Sequence, residues 1–207
     1  MEAKLATLKQ HVTELANAPQ FKHYQWFVRW HLKIVERIAE ELLAHYPEGD
    51  GDLVRAMVWM HDYGKILDFD HQYDRSLIDV GRDKLVELGF EVDFANKVAD
   101  YIEWMDKRAE VDLHEAPIEV QIVSSADGGS HFASPFHPIY YYENPAIPLE
   151  KIIANKPARI DLDWNRKITL PEARRAFEPY YEMTMVQNGQ LPEAFLAIPA
   201  RRDTNSK

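Results

Sequence analysis

His31, His61, Asp62 and Asp127 are the residues of this chain whose types and placement best suit chemistry. Two imidazoles and two carboxylates make an N2O2 donor set, which suits a divalent cation and leaves positions open on an octahedral ion. Such positions admit a water and an anionic oxygen, and a cation there lowers the pKa of the water and offsets developing negative charge. The centre of the pattern is His61-Asp62 in WMHDYGK, residues 59–65. The dipeptide carries little alone, because nine His and 16 Asp in 207 residues supply roughly 0.7 such pairs by chance. Cysteine is absent, which excludes disulfides, thiol catalysis and thiolate metal sites. Any metal must rest on imidazole and carboxylate.

The elements that must position these residues read as helices. Residues 2–16 place Leu5, Leu8, Val12 and Leu15 on one stripe. A longer helix is predicted from about Phe21 to Tyr46, with Phe27, His31, Ile34, Val35, Ile38 and Leu42 on one face. After a Pro47–Gly51 turn, Asp52 can cap a helix on which Val54, Met57, Val58 and His61 share a face, with Gly64 at its end. Residues 65–75 read as an acidic connector. Further helices are expected over 76–88 and 93–108. Pro117 opens another, carrying Val120, Val123, Ser124 and Asp127 on one face. Helices near 149–167 and 172–188 follow. The proline- and aromatic-rich stretch from Ser134 to Pro148 reads as a loop or short broken helices, and a packed connector is preferred there to a pocket cover. No strand signal and no repeat is present, so the expected class is all-α.

His31, His61 and Asp127 thus come from three separate apolar faces. A polar ligand on such a face costs free energy unless paired or bound. Singly, His31 reads as a satisfied core histidine and Asp127 as a cap or turn residue; together they ask for a shared partner. Adjacent helical residues point about 100° apart, so His61 and Asp62 reach one ion only from near an element end. Gly128 and Gly129 could let backbone or substrate approach beside Asp127.

In this order and context, with HDYGK and SSADGGSHF around the ligands, the chain resembles the HD-domain metal-dependent phosphohydrolase superfamily over about residues 20–133. The family pattern matches His31, His61, Asp62 and Asp127. The resemblance implies a helical bundle around one divalent ion (Mn, Mg, Co, Fe or Zn), additional C-terminal helices and hydrolysis of a small phosphate ester, with a nucleotide favoured. It implies Lys65, in the His-Asp-x-Gly-Lys run, as a catalytic group offsetting negative charge beside Asp62, the other catalytic candidate. A surface lysine serving the helix dipole is the alternative for Lys65. Lys65, His131 and Arg166 are candidate substrate contacts. A helix-terminal role competes for His131. Intrahelical or surface ion pairs are preferred for Arg159, Arg166 and Lys167, with a phosphate contact as the alternative.

Two other readings stand beside hydrolysis. Two-iron oxygenases occur on HD scaffolds, and a non-catalytic HD module could bind a nucleotide or a protein. A second ion would need further histidines between His61 and Asp127, where only His71 and His114 occur; Glu103 and Asp106 stand nearby instead. Glu103 or Asp68 is a candidate proton acceptor.

The composition bounds these readings. The 207 residues are enough for one domain, expected over 1–197 with a flexible tail at 198–207. A net charge of -10 disfavours a nucleic-acid polymer as partner, because such binding needs clustered cations. A small anion in a local positive pocket stays compatible. No apolar run long enough to span a membrane and no apolar leader at Met1–His11 is present, so the expected setting is cytoplasmic, without membrane contact. A homodimer is admitted.

Overall fold

The computed structural model describes residues 1–72, 74–107 and 110–193, and every regular element among them is helical. The expected tail at 198–207 lies outside the described residues. None of the described helices is long and apolar enough to cross a membrane.

Helix α1 (Glu2–Ala16) buries Leu8, Val12 and Ala16, the stripe its sequence spacing requires. The long helix expected from Phe21 begins later. Residues 22–26 form turns, Val28–Leu32 form one π-helical turn, and α2 (Lys33–His45) continues from it. Helix α3 (Gly51–Met60) is capped by Asp50, not Asp52: the Asp50 carboxylate accepts from the backbone N–H groups of Asp52 and Leu53 at 3.1 Å each. The helix stops at Met60, ahead of Gly64. Gly64 instead lies inside the short helix α4 (Tyr63–Leu67), where a Cβ would come within 3.1 Å of the Gln72 carbonyl. His61 and Asp62 occupy the break between α3 and α4. Helices α5 (Arg75–Glu87) and α6 (Val92–Asp106) pack on each other.

The centre of the molecule is α7 (Ile118–Ala133), which packs against α2, α3 and α6 on one side. Its other side meets α8 (Phe136–Glu143), α9 (Leu149–Lys167) and α10 (Pro171–Gln187). Such a position requires a helix that is apolar or small all round, and residues 122–132 of α7 are buried without interruption. Its serines tie the α9–α10 connection to it. Ser124 Oγ donates to the Lys167 carbonyl at 3.0 Å, and Ser125 Oγ accepts from the backbone N–H groups of Thr169 (3.1 Å) and Leu170 (3.2 Å). Gly128 and Gly129 serve this packing rather than substrate approach. A Cβ on Gly128 would stand 2.8 Å from Ile168 Cγ1 and 2.9 Å from Lys167 Cβ, and one on Gly129 would stand 2.4 Å from the Phe177 ring.

Candidate metal centre

His31 sits in the π-helical turn, His61 and Asp62 in the α3–α4 break, and Asp127 on the inner face of α7. A π turn holds one residue more than an α turn and so re-aims its side chains, a device common at functional sites. The fold brings all four together. From His31 Nε2 it is 3.2 Å to His61 Nε2, 3.1 Å to Asp62 Oδ2 and 3.8 Å to Asp127 Oδ1. His61 Nε2 lies 3.4 Å from Asp62 Oδ2 and 4.0 Å from Asp127 Oδ1. Ligands at about 2.1 Å from one ion stand roughly 3.0 Å apart when cis on an octahedron and about 3.4 Å apart on a tetrahedron. The three separations among His31, His61 and Asp62 (3.1–3.4 Å) fall in that range, and the two to Asp127 (3.8 and 4.0 Å) are longer.

The hydrogen bonds around the cluster decide where the imidazole protons are. His61 Nδ1 lies 2.8 Å from the Val58 carbonyl, which can only accept, so Nδ1 carries the proton. Ser130 Oγ donates to the Asp127 carbonyl at 2.7 Å and therefore accepts from His31 Nδ1 at 3.0 Å. Both rings thus donate outward from Nδ1 and turn Nε2 toward the cluster. A proton between them is disfavoured: burial pushes the His31 pKa down to about 4, and the nearby Asp62 and Asp127 offset this only in part. Imidazole nitrogens and carboxylate oxygens gathered around His31 Nε2 call for a cation, and an imidazole whose other nitrogen donates outward is the usual metal-ligating arrangement. The donor set fits a divalent ion.

The carboxylates share a division of labour. Asp62 turns Oδ2 to the imidazoles, while Oδ1 accepts from Lys65 Nζ at 2.7 Å. Asp127 turns Oδ1 to the imidazoles, while Oδ2 accepts from Lys167 Nζ at 2.7 Å. Burial would raise both carboxyl pKa values. The ammonium groups beside them outweigh this, Lys65 at Asp62 and Lys167 at Asp127, so both lie well below the usual carboxylate range.

His131, one turn after Asp127, joins the centre. Its Nε2 is 3.5 Å from Asp127 Oδ1, and its Nδ1 donates to Asp163 Oδ2 at 3.1 Å. The ring stacks on Phe136, 3.9 Å between centroids and 13° from parallel. Among the described residues, two sets have metal-competent spacing, His31–His61–Asp62 and His31–Asp127–His131, and they share His31.

Other candidates lie elsewhere. Arg166 is exposed, with its electrostatic influence on Asp112. The next residue, Lys167, is the one turned inward, because one helical step swings a side chain by about 100°. Lys167 does have the intrahelical partner expected for it, Asp163 at 3.9 Å, but the pair is buried and not at the surface. His71 and His114 are exposed and bonded to Asp68 (2.9 Å) and Asp112 (2.8 Å), so neither approaches the cluster. Glu103 pairs with Arg75 and Lys107. Asp163 went unassigned in the sequence reading, although a signal was present. Ile160, Asp163, Trp164 and Lys167 fall on one helical stripe and are all buried.

A cavity of about 580 Å³ opens beside the centre, with His31 and Lys65 in its wall. Trp26, Phe27, Phe69, Phe136 and Tyr140 form its sides. Phe136 and Tyr140 come from α8, within the proline-rich stretch for which a packed connector is the sequence expectation; that stretch helps enclose the cavity.

Residues 29–129 match the family model of the HD domain, a span that contains His31, His61, Asp62 and Asp127. Neither the curated proteins nor the solved structures returned a match.

Proposed function

Residues 29–129 form an HD domain, and on that premise we propose that this chain is a metal-dependent phosphohydrolase acting on a small phosphate ester. The observation that carries the reading is the convergence of two deprotonated Nε2 atoms and two carboxylate oxygens beside a cavity with a cationic wall. His31, His61, Asp62 and Asp127 would hold one divalent ion, with His131 at its edge. When bound, such an ion supplies Lewis acidity and lowers the pKa of water. In the overall reaction water adds to phosphorus, the P–O ester bond breaks and the leaving alkoxide is protonated.

The chain's own residues supply position and charge. Lys65 sits between Asp62 and the cavity, where its ammonium offsets negative charge on a phosphate oxygen. Lys167 and Asp163 hold Asp127 and His131 in orientation from outside the HD span. His131 with its proton on Nδ1 offers Nε2 as an acceptor only. That suits a cation or a water O–H better than a phosphate oxygen. The rings of Phe27 and Phe136 wall the centre from bulk water.

The test is phosphate release. Purified chain, its metal content measured and then supplemented in turn with Mn, Mg, Co, Fe(II) and Zn, is assayed on a panel of phosphomonoesters and phosphodiesters. We expect hydrolysis of at least one ester, and loss of both metal and activity in Asp127→Asn. Silence across the panel with every metal would overturn the reading. So would two irons per chain with oxygen uptake, which would mark the oxygenase alternative.

A further inference from the structure

The cavity has a second end that the centre does not use. Lys22, Lys65, Lys151, Lys156 and Arg159 line the cavity as a whole, against one acid, Glu143. Glu143 is already engaged, accepting from Trp26 Nε1 at 2.7 Å and pairing with His23 at 2.9 Å. A chain of net charge -10 has therefore gathered cations in one hollow.

Lys156 is the telling residue. It is only 5% exposed, and among the described residues its compensation from acids is the longer-range attraction of Asp163. Its ammonium rests instead on the Tyr140 ring, 3.7 Å from the centroid. A buried ammonium is costly unless compensated, and one aromatic face returns only part of that cost. Arg159, one turn along α9, sits at the same end, with its side chain half exposed and Nε 3.7 Å from Asp163. The Phe136 ring separates this end from the centre: it lies 3.9 Å from the His131 ring and 5.9 Å from Lys156 Nζ.

We propose that the substrate carries, besides its phosphate ester, a second anionic group (a carboxylate or a further phosphate) bound by Lys156 and Arg159 at the α8–α9 end of the cavity. The phosphate end of this assignment rests on the hydrolytic reading above. The second anion rests on Lys156 and the charge of the cavity alone. One ring's breadth between the two ends sets the scale of the molecule: a short acid phosphate or a sugar bisphosphate spans it, whereas a simple monoester leaves Lys156 without a partner.

The experiment compares ligands that differ by one anionic group. Binding of glycerol 3-phosphate against 3-phosphoglycerate, and of fructose 6-phosphate against fructose 1,6-bisphosphate, is measured by calorimetry on the metal-loaded full chain. The same pairs are run on Lys156→Met, Lys156→Arg and Arg159→Gln. The two-anion member of at least one pair is expected to bind about tenfold or more tightly, as a charge-assisted contact would give. Lys156→Met should erase that preference and Lys156→Arg should restore part of it. Arg159 is half exposed, so its variant folds even if Lys156→Met does not, and it should reduce the preference severalfold. The carboxylate and phosphate pairs tell the two anion types apart. Equal binding within both pairs, or a preference that survives both Lys156→Met and Arg159→Gln, would overturn the proposal. Hydrolysis without a two-anion preference sinks the subsite and leaves the phosphohydrolase standing. A Lys156-dependent preference without hydrolysis does the reverse.

Discussion

Protonation at single nitrogen atoms carries the argument for the metal centre. The Val58 carbonyl and the Ser130 hydroxyl set which nitrogen of His61 and His31 keeps its proton, so the opposite nitrogens face the cluster and could hold an ion. Ser130→Ala should therefore leave the fold intact but weaken metal binding by roughly 10–100-fold, as loss of such an outer partner does; chelator competition reads the change. Lys167 makes a second, different prediction. Removing one partner of a buried pair strands the other charge, at about 3–5 kcal/mol. Lys167→Met should lower the unfolding free energy of the metal-free chain by about that much, and by clearly less once metal is added, because the cation then compensates Asp127. Equal losses with and without metal would show that the Asp127 carboxylate does not face the ion. His31, His61, Asp62 and Asp127 were legible in the sequence because each breaks an apolar helical face or stands beside one that does. Asp163 and Lys167 were harder to read, because a charged pair four residues apart on a helix looks the same whether it faces solvent or core.

Among the elements, α7 does the positioning. Its Gly128 and Gly129 let α9 and α10 approach closely enough for Lys167 to reach Asp127. Gly128→Ala should force Ile168 and Lys167 outward, costing about 1–3 kcal/mol in stability by overpacking and weakening metal binding at the same time; thermal melts with and without metal measure both. An unchanged metal affinity would separate this packing from the centre. Helices α1, α3, α7 and α9 were legible within a few residues, since their stripes are long and their starts carry signals such as Pro117. The π turn at His31 was not. Its extra residue leaves no mark on a four-residue periodicity and is stabilised by what packs on it. The Gly64 expectation failed for a related reason: a glycine can end a helix or admit a neighbour, and here Gln72 and Leu77 come close.

For the whole molecule, charge and acidity are the accessible variables. Burial holds His31 down to about 4 and His137 to about 3, the latter with help from Lys156 and His131. Neither ring nitrogen of His137 has a hydrogen-bond partner among the described residues. Both histidines take up protons more readily when unfolded, near 6.5. Their contribution is thus complete above about pH 6.5 and is lost as the pH falls toward their folded values. The lowered carboxyls Asp62 and Asp127 add a second loss below about pH 4. Denaturant midpoints of the metal-free chain should decline from pH 6.5 downward. His137→Leu should flatten the first part of that decline without lowering stability at pH 7; an unaltered profile would place the titration elsewhere. A metal held at the proposed centre would bind the folded state alone, so a chelator should lower the melting temperature, by an amount equivalent to about 2.7 kcal/mol from a starting concentration of a hundred times Kd.

Helical class, the order of the elements and the four residues gathered at the cluster were written in residue types and spacing, because periodicity and burial cost act locally along the chain. The match of residues 29–129 to the HD domain agrees with that reading. Folding alone settled which way each ligand faces, that Lys167 rather than Arg166 turns inward, and that Lys22, Lys65, Lys151, Lys156 and Arg159 share one hollow in an acidic protein. These facts depend on contacts between segments as far apart as residues 22 and 159, and on a rotation of about 100° per residue that sequence patterns do not phase against a distant neighbour.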